Sequence, residues 1–573
     1  MALIDKASLL MVPSTYEAGK LYNVLPSGNR APDSTNQNSG YDQTRADFDF
    51  DRGSNAAATR VNASGLIEKY RENLLTYSND FSQWTNSGTT EASGFEGYDG
   101  TNDAWEIEKT SASAYSSINR ALTATSGIVT ISAYVKKGTL SVTSLYASGG
   151  TNPYILFSFD SATITAQRPG LIDTNVEDAG NGWYRISFTT TESIAQVTLH
   201  PDWAGTNTGT IYAQDIQVEK GLVATDYLES TSVTGKAGVL VDLPRINYDA
   251  NGENGALLLE PSRQNLVAYS EYFGGTYYVK GSGVSILENN YTSPEGLVNG
   301  AKLIGATGTD RSGSVITRII SVSSSTTYTA SIYVYKDTAT QCTLYLRDGS
   351  TGVIVSQSVT LESGWQRIEK SLTTGASTSQ MNWYLGNTDG DIGIFGAQIE
   401  SGSYVSSYIP TMGTSETRAA DSCSVTGASD VIGQTEGTIY WEGSVPTADQ
   451  NANICQFNNS TSASVVLEKR SNGKIRARVW NSGNAVVSIQ SSSYGDENLK
   501  IAFAYKSGEV ALYINGAQIA TDSTAFTFAQ SLTEFQLGVG VLYFAYPRTS
   551  SAKQSMLFNE RLTNSELATL TTL

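Results

Sequence analysis

Apolar and polar residues alternate with a period of two along most of this chain. In IVTISAYVKK, Val129, Ile131, Ala133 and Val135 fall on one side; Thr130, Ser132, Tyr134 and Lys136 fall on the other. A second run does the same, with Ala330, Ile332 and Val334 inward and Ser331, Tyr333 and Tyr335 outward. Such alternation predicts strands with one buried and one exposed face. Trp183 and Trp365 each follow a glycine and open further runs, RISF and RIEKSL. Near the C-terminus, EGTIYWEGSV reads as a strand, and SVVLEKRSNGKIRARVW as two strands turning at Ser471-Asn472-Gly473. LKIAFAYKSGEVALYINGAQI turns at Ser507-Gly508 and again at Asn515-Gly516. Only NERLTNSELATL predicts a helix, with Thr563 as its cap and Glu566 completing a capping box.

The alternating blocks occur twice. NLLTYSNDF near residue 73 returns as NLVAYSEYF near 265; SAYVKK at Ser132 returns as SIYVYK at Ser331. GWYRI at Gly182, QVEKG at Gln217 and DYL ending at Leu228 return as GWQRI at Gly364, QIESG at Gln398 and SYIPT around Tyr408. The order is kept while the offset drifts from 192 to 199 and settles at 181, as expected of one ancestral unit with altered loops. Block one has 17 more residues than block two between Lys137 and Gly182. The lead-ins are duplicated too: Arg245, Gly255, Leu257 to Glu260 and Arg263 echo Arg60, Gly65, Leu66 to Glu68 and Arg71. Residues 1–72 are irregular, with a turn-rich run at 21–40 and a short strand through Phe48 and Phe50.

These patterns predict an all-β chain: an extended N-terminal adaptor over 1–72, three antiparallel β-sandwich (jelly-roll) domains, and a short C-terminal helix. The sandwiches span 73–230, 265–423 and 424–573, with a β bridge over 231–264. Duplicated β modules serve reach, avidity or display more often than chemistry.

Composition sharpens this. The chain has 573 residues, 39% of them apolar and only 16% charged, which suits folded β domains rather than disorder. Of the net charge of −18, residues 73–423 carry −15. That opposes nucleic acid or an anionic membrane as partner. Cys342, Cys423 and Cys455 are odd in number and lack ligand spacing, so neither a disulfide framework nor a zinc site is expected. MALIDKASLLMVP is not a signal peptide, and no run approaches the ~20 apolar residues of a membrane-spanning helix. Synthesis in a cytoplasm is expected, with release by a route such as lysis.

Catalysis finds little support. His200, in QVTLHPDW, is the one histidine, and no metal, nucleotide or dinucleotide motif is present. Paired carboxylates could still serve a glycosidase, but the sequence selects no pair. Asn387-Thr388-Asp389-Gly390-Asp391 offers oxygen ligands at short spacing, so Asp389 and Asp391 form a weak calcium candidate. Its counterpart, Asn207-Thr208-Gly209-Thr210, lacks both acids and favours a turn. No cofactor is expected. Aromatic residues are the better binding chemistry, because sugars stack their C–H faces on Trp and Tyr while polar groups take the hydroxyls. The candidates are His200, Asp202 and Trp203 in block one, Asn382, Trp383 and Tyr384 at nearly the same place in block two, and Trp480 in the last domain. Core packing is the competing role for each Trp.

The residues now support a resemblance. KSGEVALYINGAQI followed by LG and NERLTNSELATL resembles a laminin-G or concanavalin-A-like lectin sandwich over roughly 430–573. NLLxYSxxF, GWYR and QxEKG resemble carbohydrate-binding-like modules of tailed-bacteriophage fibre and spike proteins. The lead-ins FDFDRGSNAAATRVNASGLIE and PRINYDANGENGALLLEPSRQNL resemble the segments that precede those modules in tail and head fibres. Block one departs from block two by ending DYLES where the other ends SYIPT. The resemblance implies a virion-surface protein made in a host bacterial cytoplasm. It also implies a non-enzymatic adhesin for host-surface or environmental glycans, attached to other virion proteins through its N-terminal segment and forming a homotrimer. A virion-associated polysaccharide depolymerase and a secreted cellular lectin are the alternatives.

Overall fold

A computed structural model describes residues 3–15, 49–54, 57–446, 451–458, 463–481, 484–528, 530–538 and 550–572. The architecture is all-β, as expected, in antiparallel sheets; among the described residues one α-helix, Asn564–Thr572, follows the last strand. The capping box forms: Thr563 N donates to Glu566 Oε2 at 2.8 Å, and Glu566 N donates back to Thr563 Oγ1 at 3.3 Å. Phe48 and the run 21–40 lie outside the described residues.

Both copies are two-sheet sandwiches of one topology. In copy one the strand Val129–Lys137 lies between Trp183–Thr190 and Gly209–Lys220; in copy two Thr327–Lys336 lies between Trp365–Thr373 and Ile392–Ser401. Val135 and Val334 hold equivalent, fully buried places in the two cores. The extra residues of copy one form Thr163–Gln167 and Asp173–Gly180, which add one edge strand to each sheet. Copy one therefore has six strands per sheet, and copy two has five.

The repeated sequence motifs are polar clamps that close each sandwich. Asn73 Nδ2 donates to Leu228 O at 2.9 Å, and Asn265 Nδ2 donates to Ile409 O at 2.9 Å. The glutamates of QVEKG and QIESG, Glu219 and Glu400, each accept a backbone N–H at 2.8 Å, from Thr225 and Ser406. Arg185 and Arg367 of the GWxR motifs reach the same outgoing segments, at Thr225 O and Ser406 O. Tyr227 and Tyr408 bond the hydroxyls of Ser78 and Ser270. These groups are almost all buried, where leaving one unpaired costs about 1–3 kcal/mol. Retention of the motif in both copies follows from folding alone.

The third sandwich borrows strands from far along the chain. One sheet contains Glu436–Ser444, Leu499–Lys506 and Ser550–Phe558, and it recruits Leu9–Met11 and the bridge strand Ala256–Leu259, both onto Ser550–Phe558. The other recruits Asp49–Asp51 onto Ser422–Val425. The described parts of 1–72 have no core of their own and are built into the sheets of the later modules. The lead-in hairpin of copy one, Thr59–Val61 with Ile67–Lys69, packs on copy two, with Ile67 against Phe395 and Tyr408. The lead-in of copy two packs on the third sandwich. Each lead-in therefore skips one module, so the domains interlock, and the boundaries drawn at 72, 264 and 424 are not spatial ones.

At the crossing, Arg245 bonds Glu260 at 2.7 Å and also Asp421; Arg418 reaches Glu260 at 2.9 Å and Arg52 reaches Asp421 at 3.3 Å. All five side chains are buried. Breaking such a group by removing one partner typically costs about 3–5 kcal/mol, because the other charge is stranded.

Candidate functional site

Strand register decides which side chains face out. In copy one, Gln196–His200 pairs with Val142–Ser148, placing Leu199 beside Leu145 and His200 beside Ser144. Val197 and Leu199 enter the core, so Thr198 and His200 face outward. Tyr146 and Tyr154 are cross-strand partners on that same outward face. The loop after Pro201 then folds Trp203 back over it. Its ring stacks on Tyr154 at 5.1 Å and 16°, lies 5.4 Å from Tyr146, and meets His200 edge-on at 4.8 Å. Tyr115, 56% exposed, stands edge-on to Trp203 at 5.2 Å. Trp203, Tyr146 and Tyr154 are half-buried. Together these four rings form an aromatic platform, and Arg168 lies next to it, its backbone N–H donating to Tyr154 O at 3.0 Å.

His200 and Asp202 support that platform from beneath. His200 is buried, its Nδ1 lies 3.2 Å from Ser116 O, and burial lowers its pKa to about 4. The imidazole is neutral at neutral pH, with one nitrogen occupied and rings packed around it. Asp202 pairs with buried Lys109 at 3.2 Å, and the same ammonium donates to Gly205 O at 2.7 Å. That pair shapes the loop carrying Trp203.

In copy two, Gln380–Gly386 pairs with Gln341–Asp348 so that Tyr384 opposes Tyr345 and Gly386 opposes Thr343. Since Tyr345 corresponds to Tyr146, the counterpart of Tyr384 is Thr198, that of Trp383 is Val197, and that of Asn382 is Gln196. The expected match of Asn382, Trp383 and Tyr384 with His200, Asp202 and Trp203 is therefore corrected. One strand residue separates inward from outward, and the sequence clusters lie out of register. Trp383 is a core residue, fully buried with Met381 and Leu385. Tyr384 stacks on Tyr345 at 4.6 Å and 5° but is itself buried, leaving Tyr345 as the half-exposed ring. Asn382 is buried on the outward face beside Arg347, with Ile319 and Ile354 exposed as cross-strand neighbours of Asn382 and Arg347.

In the third sandwich Trp480 faces outward on Lys474–Asn481, with the guanidinium of Arg478 4.9 Å from its ring centroid. Gln456, Glu468 and Gln536 lie on the same sheet's outward side and are buried. Asp389 and Asp391 do not converge. Asp389 accepts the backbone N–H of Thr340 at 2.7 Å, and Asp391 lies 3.1 Å from the ammonium of Lys302. Asp389 is held below its usual pKa chiefly by its hydrogen bonds with Thr340. The loop is a turn with both carboxylates engaged. Where the modules meet, a cleft of about 330 Å³ is lined by Lys69, Arg71, Glu219, Lys220, Tyr269 and Met412 among others.

The residues missed from sequence were Tyr115, Tyr146, Tyr154 and Tyr345. The available signal was the Leu-Tyr pair recurring at 145–146 and 344–345, whose tyrosine faces away from the core in both copies.

No protein family and no curated protein matches the chain. Among solved structures, it is similar to the CBM40 of Ruminococcus gnavus IT-sialidase bound to α2,6-sialyllactose. That match has 18% identity over 26% of this chain and 91% of the other, with a TM-score of 0.23. The receptor-binding domain of botulinum neurotoxin mosaic serotype C/D gives 13% identity over 26% and 39%, with a TM-score of 0.23. Likenesses of this size carry no argument about function.

Proposed function

We propose that this chain is a non-enzymatic glycan-binding protein of a tailed-bacteriophage virion, a fibre or spike that attaches through its sandwich modules. The observation carrying the binding part is the platform of Trp203, Tyr154, Tyr146 and Tyr115 on the outward face of copy one. Parallel and edge-on rings at a solvent face suit the C–H faces of a pyranose. Arg168 is placed to take a sugar hydroxyl or carboxylate. Tyr345 with Arg347 supplies a smaller counterpart in copy two. One platform gives modest affinity, which copies on several chains raise through effective concentration. Binding without cleavage is favoured because His200 is neutral, buried and hydrogen-bonded. The buried carboxylates Glu260, Glu271 and Asp421 are moreover committed to internal ion pairs.

The virion role and the trimer rest on the resemblance of the repeats and lead-ins to phage fibres. A homotrimer would cover the outer edges of the sandwiches. Attachment to the particle is assigned to the N-terminal segment. Its flanks 3–15, 49–54 and 57–72 are built into the body, so deletion of 16–48 is the informative truncation.

The test is a glycan array with the intact chain and Trp203→Ala, alongside thermal melts. Loss of glycan signal with an unchanged melt supports the platform. Undiminished binding by Trp203→Ala refutes it, and oligosaccharides released from host polysaccharide would overturn the non-enzymatic part. A soluble 16–48 deletion that still enters virions would remove that span from attachment.

A further inference from the structure

The two copies treat one sheet edge differently. In copy two the strand Ile354–Thr360 ends its sheet, and among the described residues Gln341–Asp348 is its one strand partner. Asp348 N donates to Val353 O at 2.9 Å, and Leu361 N donates to Thr340 O at 2.8 Å. Hydrogen-bonded positions alternate along an antiparallel ladder, so the odd-numbered residues bond that partner. Ile354, Ser356, Ser358 and Thr360 turn their N–H and C=O groups to the open side.

Copy one has the same strand, Tyr154–Ser158, and covers it. Tyr154 opposes Tyr146 as Ser356 opposes Tyr345, so Tyr154 and Leu156 are the counterparts of Ser356 and Ser358. The added strand Thr163–Gln167 lies along this edge, and Tyr154 O accepts the N–H of Arg168 at 3.0 Å. This edge of the module therefore takes a further strand. The added strand is followed by Arg168 and Pro169, a charge and a residue without an N–H, which oppose pairing beyond it.

Copy two lacks any such guard. From Thr351 to Leu361 no residue is charged and none is proline. Val353 and Ile354 are 53% and 50% exposed. The strand also reads almost alike in both directions. Ile-Val-Ser-Gln-Ser-Val-Thr is symmetric about Gln357 except at its ends, which are both β-branched. An antiparallel partner of the same sequence, centred on Gln357, sets Ser356 against Ser358 and Val355 against Val359. That register also brings the outward-turned groups of the even-numbered residues face to face, for about eight backbone hydrogen bonds. Val355 and Val359 already pack on the core of copy two, so the pairing would bring two such cores side by side.

We propose that Ile354–Thr360 is a self-association edge: it pairs antiparallel with the same strand of a second copy of this chain, about a twofold axis at Gln357, in the place that Thr163–Gln167 fills in copy one. A twofold contact of this kind uses one patch on both partners and joins copies in pairs. Three chains held together elsewhere would be joined as two sets of three. The outward faces of the two sheets then run on into one surface carrying two Tyr345 rings.

The test is sedimentation equilibrium of the full chain over a concentration series. A mass of two or six times 61.2 kDa is expected; one or three chains throughout would overturn the proposal. Gln357→Lys sets two ammonium groups against each other across the axis. It should halve the mass and leave circular dichroism unchanged, because Gln357 is exposed. An undiminished mass in that folded variant would also overturn the proposal. Gln357→Cys tests the register. Opposed residues of a non-hydrogen-bonded pair have Cα atoms about 4.5 Å apart, within reach of a disulfide. Mild oxidation should link this variant into covalent pairs, whereas Ser356→Cys, opposed by Ser358, should stay largely unlinked. Cys342, Cys423 and Cys455 are buried and do not compete. Equal linking of the two variants, or none in Gln357→Cys, would count against the twofold pairing. Glycan binding is read separately on the array, so failure here leaves the aromatic platform standing, and the converse holds. A mass of two chains in place of six would displace the trimer alone.

Discussion

Copy one and copy two keep the same polar side chains wherever the chain enters and leaves the sandwich: Asn73 and Asn265, Arg185 and Arg367, Glu219 and Glu400, Tyr227 and Tyr408. They part company on the outward face and where Lys69 enters copy two to pair with Glu271 and Glu295. The clamp positions are buried and hydrogen-bonded, so most replacements there are penalised by stability itself. The outward face bears no such load. There Thr198 stands where copy two has Tyr384, and a loop tryptophan gives copy one a larger platform than the single half-exposed Tyr345 of copy two. Similarity between repeats therefore locates the scaffold, and dissimilarity locates the surfaces free to specialise.

The sharpest test of that contrast sets two tryptophans against each other. Trp383→Ala should destabilise copy two by about 3–5 kcal/mol without a specific effect on glycan contacts, because it empties a core position. Trp203→Ala should reduce glycan binding while costing far less in a denaturant melt. Equal costs for the two would break the distinction between core and platform.

Lys69→Ala comes next. It leaves Glu271 and Glu295 facing each other without their cation and should cost about 3–5 kcal/mol, confined to copy two and the lead-in hairpin. Hydrogen exchange resolved by peptide checks this; loosening spread evenly over both copies would contradict the interlocked arrangement. Asn73→Ala and Asn265→Ala should then behave alike, each costing about 1–3 kcal/mol through the unpaired carbonyls it leaves. A large cost in one and none in the other would mean that the clamp is not shared after all.

The smallest expected effect is in pH. Burial is the leading cause that raises Asp215, Glu271 and Glu288 to about 7. A folded carboxyl that holds its proton more tightly than the unfolded chain stabilises at low pH. That contribution is complete below the unfolded pKa near 4 and is lost as pH rises through about 7. His200, lowered to about 4 by burial, acts oppositely: its contribution is present above its unfolded value of 6.5 and lost as pH falls toward 4. The melting temperature should therefore rise as pH is lowered from 8 and go on rising below 6.5 toward about 4.5, because three carboxyls outweigh the one histidine. A melt that falls steadily over 8 to 6.5 would contradict these assignments. In Asp215→Asn the rise should shrink, separating copy one's share from that of Glu271 and Glu288 in copy two.

Much of this molecule was already determined along the sequence. Alternation fixed the strands and the buried faces, as at Val135 and Val334, because side-chain direction in a strand depends only on odd or even position. The Asn-Gly turns and the Thr563–Glu566 cap are likewise local, since their partners lie within a few residues. Tertiary structure alone decided three matters. It decided which module each lead-in serves, because the apolar strands Leu9–Met11 and Ala256–Leu259 would pair equally well with any open sheet edge. It decided the cross-strand register that sends Trp383 inward, at the place of Val197, and the loop that lays Trp203 over the outward face, neither of which similarity between repeats records. And it decided the ion cluster that joins the first lead-in to copy two, whose members lie at Lys69, Glu271 and Glu295. Charges that far apart in sequence become neighbours only through the fold, and only then does their mutual repulsion, or the cation that relieves it, have an energy.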